Sequence, residues 1–246
     1  MSGRNEPPKP QVADPPKPRV ADQENTFSES VQDYLKSIYK LASAEAPATV
    51  TTSLIAQRMQ VSAASATKMI KKLAELTLLD HAPYQGVALT PSGEKIALEI
   101  IRHHRLLELY LSQALGFGWD QVDAEADRLE HAISEDFEDR MDEVLGYPTV
   151  GAHGEPIPTK DGAIATHEYR RLSDLDVGQT APVRQVSDRN PELLRYLDEK
   201  GVHLGAVIAV EEKAPFQGPM LISIDGEHRH YIGVEVTKSV FVEDDV

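Results

Sequence analysis

The sequence predicts a mainly α protein with α+β character: an N-terminal winged helix-turn-helix, a helical domain, and a small SH3-like β-barrel at the C-terminus. Three observations carry that prediction. Residues 28–76 hold three stretches with apolar side chains at helical spacing, closed by a hairpin signal at 78–90. Two further helical stretches around His104–His131 are joined by the short turn LGFGWD. From about Glu168 the chain breaks into short β-type segments with one helix among them. At 246 residues there is room for one large domain or two to three small ones.

Residues 1–25 open the chain as a proline-rich tail. PPKPQVAD at 7–14 recurs as PPKPRVAD at 15–22, and proline at this density blocks helix and sheet alike. The tail reads as a disordered extension that needs no function, with a partner ligand as the alternative.

Residues 26–92 have the punctuation of a winged helix-turn-helix. Ser28 caps a first helix whose Val31, Leu35, Ile38, Tyr39 and Leu41 fall at helical spacing. Thr52–Met59 forms a second, short helix, followed by a turn at Gln60–Val61. Ser62 caps a third helix that turns Ile70, Leu73 and Leu76 inward. Its other side offers Ser62, Ala63, Ala64, Ser65, Thr67, Lys68, Lys71 and Lys72. Small residues let a helix tip approach base edges, while hydroxyls and lysines reach bases and phosphates. LLDHAPYQGVALTPSG then reads as a two-stranded wing with its turn at Tyr84–Gly86. Tyr84 joins the DNA-contact set, and Pro91 opens the next helix. A small helical bundle with an exposed lysine patch is the competing interpretation.

Residues 93–147 hold the chemistry. His104 and Glu108 stand four apart, on one helical face. Asp123, Asp127, Glu130 and His131 follow at i, i+4, i+7 and i+8, which also shares one face. If the helices lie antiparallel, four carboxylates and two imidazoles point into one space. Such a group needs neutralising, solvating or binding to a cation. A divalent metal answers that need; an acidic, solvated helix face is the alternative. With no cysteine in the chain, disulfides and thiolate ligands are excluded, and an oxygen and imidazole ligand set favours manganese or ferrous iron.

Charge narrows the partners. The net charge of −15 argues against generic nucleic-acid affinity, yet residues 26–95 carry 6 acids against 7 bases while 120–150 carry 11 against 2. A locally neutral-to-basic module can still bind DNA. No apolar run is long enough for a membrane span and no signal peptide is visible, so a cytoplasmic protein without a membrane partner is expected. Residues 148–167 read as a Gly/Pro-rich linker. Residues 168–246 read as the SH3-like domain, with strands TAPVRQVS, AVIAVEEKAP, PMLISIDG, HRHYIGVEV and SVFVEDD and the helix NPELLRYLDEKG. His228 and His230 read as surface residues.

QDYLKSIYKL, VSAASATKMIKKL, YQGVALTPSGEKIA, HRLLELYL, EADRLEH and GEPIP, in this order, resemble the diphtheria toxin repressor family of metal-dependent transcriptional regulators. The resemblance runs from about Val31 to Pro158, with a C-terminal continuation. It implies a homodimer whose middle helices form the dimer interface and metal site. It also implies a repressor of metal-ion transport genes, activated by Mn(II) and acting on a palindromic double-stranded operator. Two metal ions per subunit are implied. Asp33 falls where the first helix contributes a ligand and is similar there to the manganese-responsive branch. Asp127 takes the place of that branch's glutamate. Lys36 stands where the manganese branch offers a second helix-1 carboxylate, and an ammonium cannot ligate. Asp123 stands where the iron branch has histidine. The long C-terminus is also like the iron branch, so Fe(II) is the alternative metal. In longer family members the C-terminal domain lends an oxygen ligand, for which Glu192 is the nearest candidate and Asp188 the second.

The mechanism expected is electrostatic: without metal the carboxylates repel and Asp33 has no reason to dock; with metal it is tied to the dimer core. No small organic substrate is implied. A carboxylate/histidine metalloenzyme is the competing class, but paired Glu-x-x-His motifs are missing and no nucleophile triad or phosphate loop is evident, so no enzyme is expected. A winged-helix regulator blind to metal is the third reading.

Overall fold

The computed structural model describes residues 27–44, 50–82 and 86–243. The repeat at 1–24 and the wing tip with Tyr84 lie outside the described residues.

Helix α1 spans Glu29–Ala44 and buries Val31, Tyr34, Leu35 and Ile38, the i, i+3, i+4, i+7 stripe of an amphipathic helix. Helix α2 (Thr52–Arg58) starts where Thr51 Oγ1 accepts from the Leu54 amide, and α3 (Ala63–Glu75) where Ser62 Oγ accepts from Ser65 at 3.1 Å. Ile70 and Leu73 point inward as expected, but Leu76 caps α3 and is 39% exposed. The chain leaves the helix there through Thr77 at φ 58°, which turns it outward. Strands β1 (Leu79–Ala82) and β2 (Gly86–Leu89) pair antiparallel as the wing, and Val50 bridges to Val87 on the other side.

Helix α4 (Pro91–Leu115) begins on a Thr90 cap with Pro91 in its first turn and ends on Gly116 at φ 73°. It meets the DNA module closely: a Cβ on Gly93 would sit 2.0 Å from the Leu78 carbonyl oxygen. Helices α5 (Val122–Leu129) and α6 (Glu135–Val144) fold back against α4. The sequence pattern suggested one continuous face through His131. Instead Glu130 caps α5, and His131 lies in the turn before Ser134 starts α6. Leu106, Leu107, Leu109 and Leu111 pack with Val122, Ala126, Met141 and Ile157 into one core.

The Gly/Pro-rich segment after α6 is more than a spacer. His153 and Ile157 are buried, Val150 bridges Pro156, and Trp119 Nε1 donates to the Ala152 carbonyl at 2.8 Å. Beyond it come β3 (Arg170–Arg171), β4 (Thr180–Val186), α7 (Pro191–Glu199), β5 (Val207–Lys213), β6 (Met220–Ile224), β7 (His228–Ile232), α8 (Val234–Thr237) and β8 (Val240–Val242). Paired neighbours are antiparallel, in the order β3-β8-β4-β5-β6-β7. β3 and β7 are its edges, so the sheet curls round its core without closing into a barrel. GVEV, expected as strand, is mostly helical: Thr237 and Val236 both donate to the Gly233 carbonyl. His228 is exposed and His230 partly so, as expected.

Candidate metal centre and DNA-binding surface

Three helices bring the ionisable residues together. α1 supplies Asp33 and Lys36, α4 supplies His104 and Glu108, α5 with its cap supplies Asp123, Asp127 and Glu130, and the turn after it supplies His131. A cleft of about 650 Å3, lined by Asp33, Lys36, Asp123, Asp127 and His131, opens this cluster to solvent.

At its centre lies Glu130, 1% exposed. Lys36 Nζ donates to both its carboxylate oxygens, at 2.7 and 2.9 Å, and to Asp127 Oδ1 at 2.8 Å. His104 Nδ1 lies 2.5 Å from Glu130 Oε2, so Nδ1 is the donor there, and Lys36 Nζ stands 3.1 Å away, aimed at the same carboxylate. Burial pulls the Lys36 ammonium down, but Glu130 and Asp127 outweigh it and hold the group charged. Lys36 therefore enters the cluster as a cation, a role the sequence could not assign it.

A second group faces the other edge of His104. Its Nε2 lies 3.3 Å from Asp123 Oδ1 and 3.5 Å from Glu108 Oε1, without hydrogen-bond geometry. Burial would lower the His104 pKa, yet Asp123, Glu108 and Glu130 push it up to about 10. Burial would likewise raise Glu108, but His104 and His153 hold its carboxyl far below the usual range. Asp33 is docked as well: His131 Nε2 meets Asp33 Oδ1 at 2.9 Å, while His131 Nδ1 meets Gln32 Oε1 at 2.5 Å. The His131 imidazole thus holds Asp33 at the edge of the cluster.

His153, which sequence reasoning passed over, belongs to this neighbourhood. It is fully buried, stacks on Trp119, donates from Nε2 to the Trp119 carbonyl at 3.0 Å, and turns Nδ1 to within 3.4 Å of Glu108 Oε1. A histidine inside a glycine- and proline-rich stretch that also holds GEPIP was the available signal. Next to it the Glu155 carboxyl is pushed up to about 7 by burial, with the Asp188 and Glu108 charges adding to it. Asp188 lines the same cleft as Arg105 and Glu155 and lies 4.0 Å from Lys40 of α1. Glu192 is not brought here; it is exposed in the first turn of α7, where its amide donates to Asn190.

The donor set fits a divalent cation. His104 Nε2, Glu108 Oε1, His153 Nδ1 and Glu155 Oε2 are buried without hydrogen-bond geometry; the charges of His104 and His153 balance Glu108 in the structure, and a divalent ion could take the place of their protons on the same atoms. Asp33/Glu130/His131, His104/Asp127/Glu130 and His104/Glu108/Asp123 each place three ligand atoms within 4.8 Å of one another. All are oxygen or imidazole nitrogen.

On α3, Ser62, Ala63, Ala64, Ser65, Lys68, Lys71 and Lys72 are exposed, and Thr67 is half-buried. Part of the hydroxyl capacity is already spent. Ser62 caps the helix and contacts Ser65 at 2.9 Å, while Thr67 Oγ1 donates back to the Ala63 carbonyl. The three lysines and the two alanines at the tip carry the exposed, cationic character of the helix.

Three family models match. Residues 26–87 match the iron dependent repressor N-terminal DNA binding domain, residues 90–159 its metal binding and dimerisation domain, and residues 170–244 the FeoA domain. The iron-dependent repressor IdeR of Mycobacterium leprae is 31% identical over 231 residues, covering 89% of this chain and 99% of that protein. The regulator MntR of Oceanobacillus iheyensis is 33% identical over 118 residues, 48% of this chain and 78% of its own length. A solved manganese-dependent transcriptional repressor in complex with manganese superposes with a TM-score of 0.78 at 38% identity, covering 87% of this chain and 99% of that one.

Proposed function

The chain belongs to the iron-dependent repressor family of metal-dependent transcriptional repressors, and on that premise we propose that it is a Mn(II)-activated repressor of metal-ion transport genes. It is a DNA-binding regulator with a dimerisation domain, and its relatives are repressors rather than enzymes. The buried His104 Nε2 and Glu108 Oε1 of α4, which face Asp123 of α5 without hydrogen-bond geometry, are the observation that carries the metal reading.

Two ions per subunit fit the residues. Asp33, Asp127, Glu130 and His131 would hold one, and His104, Glu108 and Asp123, with His153 facing the same Glu108 oxygen, would hold the other. Charge supports this division. Asp33, Asp127 and Glu130 sum to −3, which one divalent ion and the Lys36 ammonium cancel. Glu108 and Asp123 sum to −2, which a second ion cancels with the imidazoles neutral. A bound divalent ion supplies a multi-point electrostatic tie that no single side chain matches. Asp33 is the link to the DNA module, because it sits on α1 and reaches His131 in the turn after α5. Holding Asp33 there fixes α1, and with it α2 and α3, against the dimer core. The two α3 helices of a dimer are then set to enter major grooves about one turn apart on a palindromic operator. Lys68, Lys71 and Lys72 contact phosphate while Ala63 and Ala64 approach base edges, with Ser62, Ser65, Thr67 and Tyr84 completing the contact set.

This reading divides the chain into a tail (1–25), a winged helix (26–92), a helical dimerisation and metal domain (93–147), a connecting segment (148–167) and an SH3-like domain (168–246). It places the protein in the cytoplasm, and no helix of the described residues is long and apolar enough to cross a membrane. Ferrous iron is the second metal, favoured by the 31% identity to IdeR; the oxygen-rich, thiol-free ligand set puts manganese first. Gel shifts of a promoter fragment in EDTA, Mn(II) and Fe(II) test the proposal. Equal operator affinity in EDTA and manganese would end the co-repressor reading.

A further inference from the structure

We infer that Glu99, His103 and Glu135 form a further divalent-cation site, between α4 and α6 and separate from the centre described above. His103 is 3% exposed, and its two ring nitrogens have different surroundings. Nδ1 faces the Glu130 carbonyl oxygen at 3.1 Å, which makes Nδ1 the protonated nitrogen in the neutral ring. Nε2 faces Glu138 Oε2 without hydrogen-bond geometry; that carboxylate favours the protonated ring, so an ion bound at Nε2 would displace its proton. This is the arrangement of a metal-binding histidine, with the far nitrogen anchored on a carbonyl.

Nε2 points into a place already furnished with carboxylates. Ligand atoms of Glu99, His103 and Glu135 lie within 4.8 Å of one another, and Glu138 Oε2 is 3.4 Å from Nε2. A cleft of about 240 Å3 lined by Glu99, Glu135 and Glu138 leads out to solvent. Lys95, Arg102 and Lys160 border the cleft; Lys95 offsets part of the Glu99 charge, and the other two are largely committed elsewhere. Arg102 is spent on Glu138, on Asp142 at 2.6 Å and on the Pro158 carbonyl at 2.9 Å. Lys160 reaches Glu135 only at 3.5 Å and pairs more closely with Asp139 in solvent. Glu99 and Glu135 are thus left to balance one divalent ion, with His103 as the third ligand and water completing the shell. One imidazole with hard carboxylates suits Mn(II), Zn(II) or Fe(II). Glu130 joins the two places, with its side chain in the first centre and its carbonyl on His103.

The test counts ions. Full-length wild type, E99Q/E135Q and H103Q are dialysed against buffered free Mn(II), and separately Zn(II), and metal per chain is measured. E99Q/E135Q changes groups on the cleft rather than in a core, so circular dichroism should match wild type. It should bind one ion per chain fewer, as should H103Q if it folds, whereas Asp33→Ala should keep this ion. In the zinc-loaded protein the 15N resonance assigned to His103 Nε2, by its absence from H103Q or by direct assignment in wild type, should shift while Nδ1 stays protonated. Equal metal content in wild type and E99Q/E135Q, or an unmoved His103 Nε2, would overturn the site. Neither outcome depends on DNA binding, so the regulator reading fails or survives separately.

Discussion

Replacing Lys36 with methionine keeps the length of the side chain and removes the ammonium. In the structure that ammonium is 9% exposed and bonded to Glu130, whose side chain is 1% exposed, and to Asp127, which is 57% exposed. Taking one partner from a buried ion pair costs about 3–5 kcal/mol, because the remaining charge is stranded out of water. Asp127 can turn to solvent and Glu130 keeps His104, so the lower figure, about 3 kcal/mol, applies in EDTA. For a chain of this size that is a fall in Tm of about 6–12 °C. Manganese at one hundred times its Kd contributes about 2.7 kcal/mol by mass action. Wild type gains the same at the same ratio, but at one fixed free Mn(II) K36M should gain more, because removing the ammonium beside Glu130 and Asp127 lowers the Kd for a cation there. Calorimetry of both proteins in EDTA and in Mn(II) measures this. If K36M melts with wild type in EDTA, or gains no more from manganese than wild type does, Lys36 is not the resident cation of the cluster.

Asp33→Ala should weaken manganese-dependent operator binding by about ten-fold or more, a coupling of 1–3 kcal/mol, with the dimer intact by light scattering; wild-type affinity would remove the α1 tie. Lys68→Ala should lower operator affinity at every sequence and reduce the salt slope by about one, with metal uptake unchanged, as filter binding across salt concentrations would record. Glu155 titrates at about 7 when folded against 4.5 for the free group, so between those values the folded chain holds the extra proton. Its contribution is complete below about pH 4.5 and lost as pH rises through about 7. In EDTA, Glu155→Gln should therefore gain stability over wild type with rising pH, approaching at most about 3 kcal/mol above pH 7 at roughly 1.4 kcal/mol per unit. Parallel urea melts at pH 5 and 8 check the sign, and a gap that shrinks with pH contradicts it.

The winged helix was legible because caps and apolar stripes are local: Thr51, Ser62 and Thr90 sit where helices begin, and Ile70 and Leu73 face inward. His104, Glu108, Asp123, Asp127, Glu130 and His131 could be grouped by spacing because two antiparallel helices meet along their faces. What spacing cannot carry is a contact between distant elements. Lys36 reaches Glu130 across 94 residues, and His153 reaches Glu108 from a segment without periodicity. The break between α5 and α6 escaped notice because Ser134 caps a new helix whose acidic first turn continues the acidic pattern before it. GVEV looked like strand from its valines, yet the Gly233 carbonyl accepts from the Val236 and Thr237 amides and closes a helical turn.

Gly154 lies against the C-terminal sheet with φ 95°, so close that a Cβ would stand 2.1 Å from the Arg184 carbonyl oxygen. Its neighbour His153 offers its carbonyl to the Val186 amide at 2.9 Å. The strand that braces His153 is thus made later than His153 itself, by thirty-three residues of synthesis. At about 5–20 residues per second the ribosome needs roughly 2–7 s to supply them. Until then His153 has the Trp119 ring and carbonyl to hold it, but not the Val186 amide. The environment of His153 is thus completed by a strand from a later part of the chain than the helices that carry Glu108.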